Sequence, residues 1–219
     1  AALFIGWTLF FLFCLWRFWH KRNPKADYVG VRGHASTHVE VGVVIIEAIL
    51  LIGFALPFWA QRVEAFPVGP DVVRIRAVAY QFGWAFHYPG PDGNFGRVDK
   101  DLYVTDPAGL DREDPNGLDD IIQVGSLTMP KDRPVVIDVT SKDVIHNLSM
   151  VPLRVSQDAI PGTEYPTWFT PTKTGEWDII CGQLCGAGHG SMRALYTVIE
   201  GDEFDKWVIE NAPKPPTEG

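Results

Sequence analysis

The chain has 219 residues, 46% of them apolar, with three cysteines and a formal net charge of −8. That length holds one ordinary domain plus additional segments, three cysteines are too few for a disulfide scaffold, and an acidic balance argues against nucleic acid and for a basic partner. The average hides two regions: residues 1–60 carry five basic against three acidic side chains, whereas from Gln61 onward 14 basic face 24 acidic ones.

Residues 1–19 form an apolar run with Trp7, Trp16 and Trp19 interspersed. The run approaches the ~20 residues that a membrane span requires, and its tryptophans suit a retained helix better than a cleaved signal segment. The chain begins at Ala1 without Met, so a leading part is expected before it. A second run, residues 39–59, has only Glu40 and Glu47 charged and ends at Pro57 and Trp59. Two transmembrane helices, 1–19 and 39–59, are expected, with Cys14 a small apolar residue in the first. Lys21, Arg22, Lys25 and Arg32 against Asp27 alone mark the loop 20–38 as cytoplasmic by the positive-inside rule. Everything after the second span then faces the periplasm or an intermembrane space, with a bacterial inner membrane expected over a mitochondrial one. Carboxylates within spans usually face protein or a water path, so Glu47 is expected to face a neighbouring subunit.

A linker is expected over 61–69 and a β-rich domain over 70–212. Alternating or β-branched segments at 72–80, 83–88, 135–141, 175–180 and 194–200, separated by Pro, Gly and Asp clusters, predict an all-β sandwich or barrel. Residues 201–212 read as a terminal helix with Asp202 as its cap, and 213–219 as a disordered tail. The stretch 106–120 holds six carboxylates and one arginine and reads mainly as a solvated loop, or as a steering surface for a basic protein. His20, His34, His38 and His87 are read as interfacial or surface residues.

The chemistry concentrates near the C-terminal end, in Cys181-x3-Cys185-x3-His189-x2-Met192, on a backbone loosened by four glycines. Two thiols, an imidazole and a thioether form a soft donor set of the kind that binds copper. CxxxC alone in an oxidising compartment is equally a disulfide, and a single-copper carrier needs one Cys, two His and an axial Met. The joint spacing, and a second imidazole at His146 after the strand 135–141, favour a two-part metal site.

From about His34 to Glu200 the chain resembles subunit II of the haem–copper cytochrome c oxidases. The resemblance rests on the two apolar runs, the aromatic strand 80–88, the Asp143-Val-Ile-His146 segment, Gln157-Asp-Ala-Ile-Pro-Gly162, and the CxxxCGxxHxxM loop. It implies a membrane-anchored, cupredoxin-like Greek-key domain holding a binuclear copper centre. Cys181 and Cys185 would bridge two coppers, His146 and His189 would each bind one, Met192 would be a weak ligand beside His146, and the Gln183 carbonyl the weak ligand on the other copper. Many relatives have Glu where Gln183 stands and bind magnesium there; an amide is a poorer ligand for a hard cation, so magnesium is not assigned.

The resemblance also implies electron acceptance from cytochrome c, or a membrane-bound c-type cytochrome, near Phe82 and Trp84, docking near Asp158, and a proton-path role for Glu40. Trp84, Phe86 and Tyr88 are expected to pack in the core, leaving Phe82 as the contact. The partners implied are the haem-bearing subunit I, subunit III and the lipid bilayer, and no nucleic acid. The chain contains no CxxCH, so no haem is expected in it. The alternatives are a quinol oxidase subunit II, whose relatives lack the copper ligands, and a membrane-anchored copper-delivery protein, whose CxxxC would precede a distant His. The copper domain of nitrous oxide reductase shares the loop but needs a large further domain.

Overall fold

The computed structural model describes residues 1–25, 27–30 and 32–213. Apart from Pro213, the expected tail lies outside the described residues. The chain divides into two compact units, Ala1–Trp59 and Ala60–Gly219.

In the first unit, a helix spans Ala2–Phe18, and a second begins at Ala35 and continues to Val63. Neither helix has an apolar stripe and a polar stripe; both are apolar nearly all round, the pattern of a helix surrounded by lipid or protein. The second, 29 residues long, is the one described helix long and apolar enough to cross a membrane, while Ala2–Phe18 is shorter. Two spans were expected and one passes on length. The second helix also extends four residues beyond each end of the expected span 39–59, from Ala35 to Val63. Pro57 has no N–H for the Gly53 carbonyl, and its ring crowds that carbonyl. The helix answers with a wider π-turn over Leu51–Ala55 and runs on to Val63, so the connection to the first strand is 64–72 instead of 61–69.

The second unit is a two-layer sandwich. One sheet has the order β3-β2-β1-β5-β8 and the other β4-β10-β9-β6-β7. In sequence the strands are β1 Val73–Tyr80, β2 Gly83–Tyr88, β3 Ile121–Val124, β4 Ser126–Pro130, β5 Val135–Ser141, β6 His146–Met150, β7 Val155–Ala159, β8 Tyr165–Phe169, β9 Gly175–Cys181 and β10 Arg193–Ile199. The chain crosses between sheets five times, and β1–β5 and β10–β4 pair in parallel. This is the expected cupredoxin-like all-β domain. β3, β4, β6, β7 and β8 add to the segments foreseen; each is only four or five residues long, too short for its alternation to stand out.

Alternation builds the core. Val73, Ile75, Ala77 and Ala79 of β1 and Trp84, Phe86 and Tyr88 of β2 point between the sheets and are buried, as expected for the aromatic strand. The opposite face of β1 and β2 is also covered: Val78 and Ala85 are buried under Ala108, with Tyr80, Tyr103 and Ile122 packed around them. The terminal helix, Gly201–Asn211, buries Phe204, and Trp207 lies on Tyr88 at 5.0 Å. Its N-cap is Glu200, without a side-chain capping bond, and Asp202 sits in the first turn instead of capping it. There a negative charge still favours the positive end of the helix dipole.

Two surface assignments are corrected by residues 89–120. His87 is fully buried; its Nε2 lies 2.5 Å from Asp120 Oδ2, and its ring meets Phe95 edge-on. Asp120 is buried with it and also accepts the Gly96 N–H at 2.8 Å. The neighbouring carboxylates are not simply solvated either. Asp106 accepts the Ala108 and Leu110 N–H groups, Asp114 accepts those of Arg97 and Asn116, and Asp119 accepts that of Asp92. Arg97 donates to Asp111, whose carboxyl is held below its ordinary value first by that side chain and then by the Glu113 N–H.

Candidate metal centre

β6 and β9 are neighbours in the second sheet, with Leu148 opposite Cys181. His146 opens β6, and the alternation His146, Leu148, Met150 turns all three inward. The sequence had placed His146 at the end of the preceding strand; it begins a new strand in the other sheet after a short crossover, which is what delivers it beside β9. Cys181 ends β9, and the chain returns as β10 from Arg193. The donor-rich segment is therefore the connection of a β-hairpin, closed by the Cys181 N–H donating to the Met192 carbonyl at 3.2 Å.

Five side-chain donors converge there. Cys181 Sγ lies 3.8 Å from His146 Nδ1 and 3.8 Å from Cys185 Sγ. Cys185 Sγ in turn lies 3.7 Å from His189 Nδ1 and 3.7 Å from Met192 Sδ. The Gln183 carbonyl is 3.1 Å from Cys181 Sγ, whereas the Gln183 side chain is exposed. Ligand atoms of His146, Cys181 and Cys185 all lie within 4.8 Å of one another. The structure thus brings together all six residues singled out as metal ligands, and both cysteines are free thiols.

Cys181, Cys185, Met192 and His146 are buried, so the donors sit in an apolar, water-poor setting. Burial, reinforced by the Cys181 thiol, pushes the Cys185 thiol up to about 11. A buried thiol pair of this kind becomes a good ligand set only when a cation replaces the protons. Two thiols, two imidazoles, a thioether and one carbonyl are unsuited to magnesium or calcium, which take oxygen ligands. Two Cys and two His alone would also suit zinc; the buried thioether of Met192 beside Cys185 favours copper.

Three supporting residues were not foreseen. His146 Nε2 is 2.8 Å from Asp143 Oδ1, leaving Nδ1 for the thiol side. A carboxylate behind a ligating imidazole fixes its tautomer and orientation. Burial alone would raise the Asp143 carboxyl, but hydrogen bonds from the Gln81 N–H, His146 and the Val144 N–H outweigh it and leave it lowered. The signal available in the sequence was the three-residue spacing from Asp143 to His146. Gln81 donates from Nε2 to the Cys185 carbonyl at 2.6 Å, and the Asn147 carbonyl accepts the Gly182 N–H at 3.0 Å. Neither carries a sequence signal, because both act through backbone atoms of the loop.

The other singled-out residues fall at different distances from the centre. Phe82 is 42% exposed and lies on the loop; a Cβ at Gly188 would stand 2.5 Å from its ring, so that glycine is needed for the contact. Trp84 is fully buried, its ring 6.3 Å from that of His146. Asp158 is exposed and accepts from Asn147 Nδ2 at 2.7 Å, which ties it to the rim of the loop. Glu40 lies in the helix beginning at Ala35, and Glu47 follows it by seven residues on the same helix face.

Residues 73–200 match the family model described as the periplasmic domain of cytochrome c oxidase subunit II. An alternative cytochrome c oxidase subunit 2 from Bradyrhizobium diazoefficiens is 32% identical over 209 residues, covering 94% of this chain and 74% of that protein. A cytochrome c oxidase subunit 2 from Cereibacter sphaeroides is 27% identical over 226 residues, covering 95% of this chain and 71% of that protein. Among solved structures, the periplasmic domain of cytochrome oxidase subunit II from Bradyrhizobium japonicum is 29% identical, covering 66% of this chain and 95% of that one, with a TM-score of 0.48.

Proposed function

The chain belongs to the cytochrome c oxidase subunit II family, and from that premise we propose that it is the electron-accepting subunit of a bacterial respiratory oxidase. The observation that carries this reading is the convergence of Cys181, Cys185, His146, His189 and Met192 on one another at 3.7–3.8 Å. A copper centre, when bound there, would supply a one-electron redox site. Cys181 and Cys185 would hold it, with His146 and His189 as the other strong donors and Met192 and the Gln183 carbonyl as weak ones.

The chain's own work is to keep those donors still and dry. Asp143 orients His146, the β9–β10 hairpin fixes the thiols, and burial excludes water from the cluster. Phe82, exposed and seated on the loop, is the contact for the donor, a cytochrome c or a membrane-bound c-type cytochrome. Trp84 lies inside the core, its ring 6.3 Å from that of His146. Asp158 at the rim and the acidic balance of the domain steer a basic partner. Electrons then pass to haem in subunit I, where oxygen reduction is coupled to proton pumping, with subunit III completing the complex. Residues 1–60 anchor the chain in the inner membrane through two spans, their exposed apolar side chains covered by lipid and neighbouring subunits. Glu40 serves at the cytoplasmic mouth of a proton path. The domain 70–212 lies in the periplasm.

The test is electron paramagnetic resonance on the full-length chain loaded with copper. The expected spectrum has the hyperfine pattern of one electron shared equally by two copper nuclei, at two coppers per chain. A mononuclear pattern, or no copper uptake, overturns the reading.

A further inference from the structure

The β1–β2 turn carries no metal donor, yet it touches both halves of the centre. Gln81 and Phe82 bridge Tyr80 and Gly83, which face each other at the end of the β1–β2 pair. From one side, Gln81 Nε2 donates to the Cys185 carbonyl at 2.6 Å. A carbonyl only accepts, so the amide must present its N–H there. The approach depends on Gly186, which has a φ of +135°; a Cβ at that position would stand 2.8 Å from Nε2. From the other side, the Gln81 backbone N–H donates to Asp143 Oδ2 at 2.7 Å. The second oxygen of the same carboxylate faces His146 Nε2 at 2.8 Å and accepts the Val144 N–H at 2.7 Å.

We propose that Gln81 is a positioning residue for the metal centre, joining the ligand segment that bears His146 to the one that bears Cys181, Cys185, His189 and Met192. The inference rests on the copper reading above. The two ligand segments come from different connections, β5 to β6 and β9 to β10, and the second is rich in glycine. Left to itself, such a loop would allow Cys185 to shift relative to His146. Gln81 sits on a third element, the end of a paired hairpin in the opposite sheet, and holds one point on each segment. A metal site keeps its geometry when atoms behind the ligands are hydrogen-bonded to rigid structure. Because Phe82 follows directly, the residue that braces the centre is also next to its exposed aromatic contact.

Three substitutions in the full-length chain separate bracing from space filling: Gln81→Ala, Gln81→Glu and Gln81→Lys. All three keep the backbone N–H to Asp143. At neutral pH the Glu side chain has the shape of Gln but no N–H for the Cys185 carbonyl, whereas Lys regains a donor. Each variant is loaded with copper, its hyperfine splitting recorded, and its copper release to an excess of chelator timed. Loss of one such hydrogen bond predicts release about tenfold faster in Gln81→Ala. Gln81→Glu is expected to release faster still, with an altered splitting, and Gln81→Lys to approach the wild type in both. Gln81→Glu behaving as wild type while Gln81→Ala is worst would show space filling and overturn the proposal, as would three variants indistinguishable from wild type. Should Gln81→Ala fail to fold, the comparison of Glu with Lys decides alone. A wild-type chain that takes up no copper overturns the copper reading and this inference together; normal wild-type loading with unaltered variants overturns the inference only.

Discussion

Residues 89–120, between β2 and β3, and residues 182–192, between β9 and β10, are both long connections rich in glycine and polar side chains. In the first, the acidic groups are spent on the loop itself: Asp106, Asp114 and Asp119 accept N–H groups within it, and Asp120 is sealed against His87. In the second, Cys181, Cys185, His189 and Met192 are turned toward one another and toward His146, and the loop is held by others, through Gln81 and Asn147. A connection that satisfies its own polar groups becomes structure. One whose donors face each other, with its backbone held from outside, is free to take a ligand. Abundance of candidate residues says little until it is known where each points.

The contrast predicts that damage will separate cleanly. Cys185→Ser removes the donor that contacts Cys181, His189 and Met192 at once. A hydroxyl is a poor substitute for a soft bridging thiolate, so the shared-electron copper signal should vanish altogether while the thermal transition of the metal-free chain moves little. Retention of the binuclear signal would break the comparison from the metal side.

Asp120→Ala should do the reverse. It leaves the His87 ring and the Gly96 N–H buried without this acceptor, at a cost of about 1–3 kcal/mol for each group left unsatisfied. Chemical denaturation of the full chain should show that loss, with the copper spectrum unchanged. If the spectrum changed as strongly as the stability, the two loops would not be independent.

The donors that converge at the candidate metal centre were legible in the sequence because their chemistry is rare and their spacing dense: core packing alone does not call for two thiols, an imidazole and a thioether within twelve residues. The long strands β1, β2, β5, β9 and β10 were legible too, having six to eight residues over which alternation shows. His87 was misjudged because a histidine on the outer face of an edge-proximal strand is ordinarily wet; only the covering loop, through Phe95 and Asp120, buries it. The same covering hid the structural use of the carboxylates at 106–120. Gln81 and Asn147 were invisible for a different reason: each meets a main-chain atom of the loop, so the loop residue on the other side of the contact carries no mark of it. The extension of the second helix past Trp59 was missed because a π-turn accommodates Pro57 without ending the helix.

The smallest effect concerns the surface of the acidic loop. Arg97 and the Glu113 N–H stabilise the charged form of Asp111 and hold its carboxyl below the ordinary value. A carboxyl depressed in the folded chain contributes stability in full above its unfolded value, about 3.9. That contribution fades as pH falls through the lower folded value. The wild type should therefore lose slightly more stability on acidification below about pH 4 than Asp111→Asn does. Because the pair is open to solvent, high salt should shrink the difference. The measurement is a set of denaturation curves across that pH range at two salt concentrations. Parallel curves for the two proteins would mean that Asp111 orders the loop through the Glu113 N–H alone, which an amide oxygen reproduces, and that the loop's charges, like its backbone, are satisfied without needing Arg97.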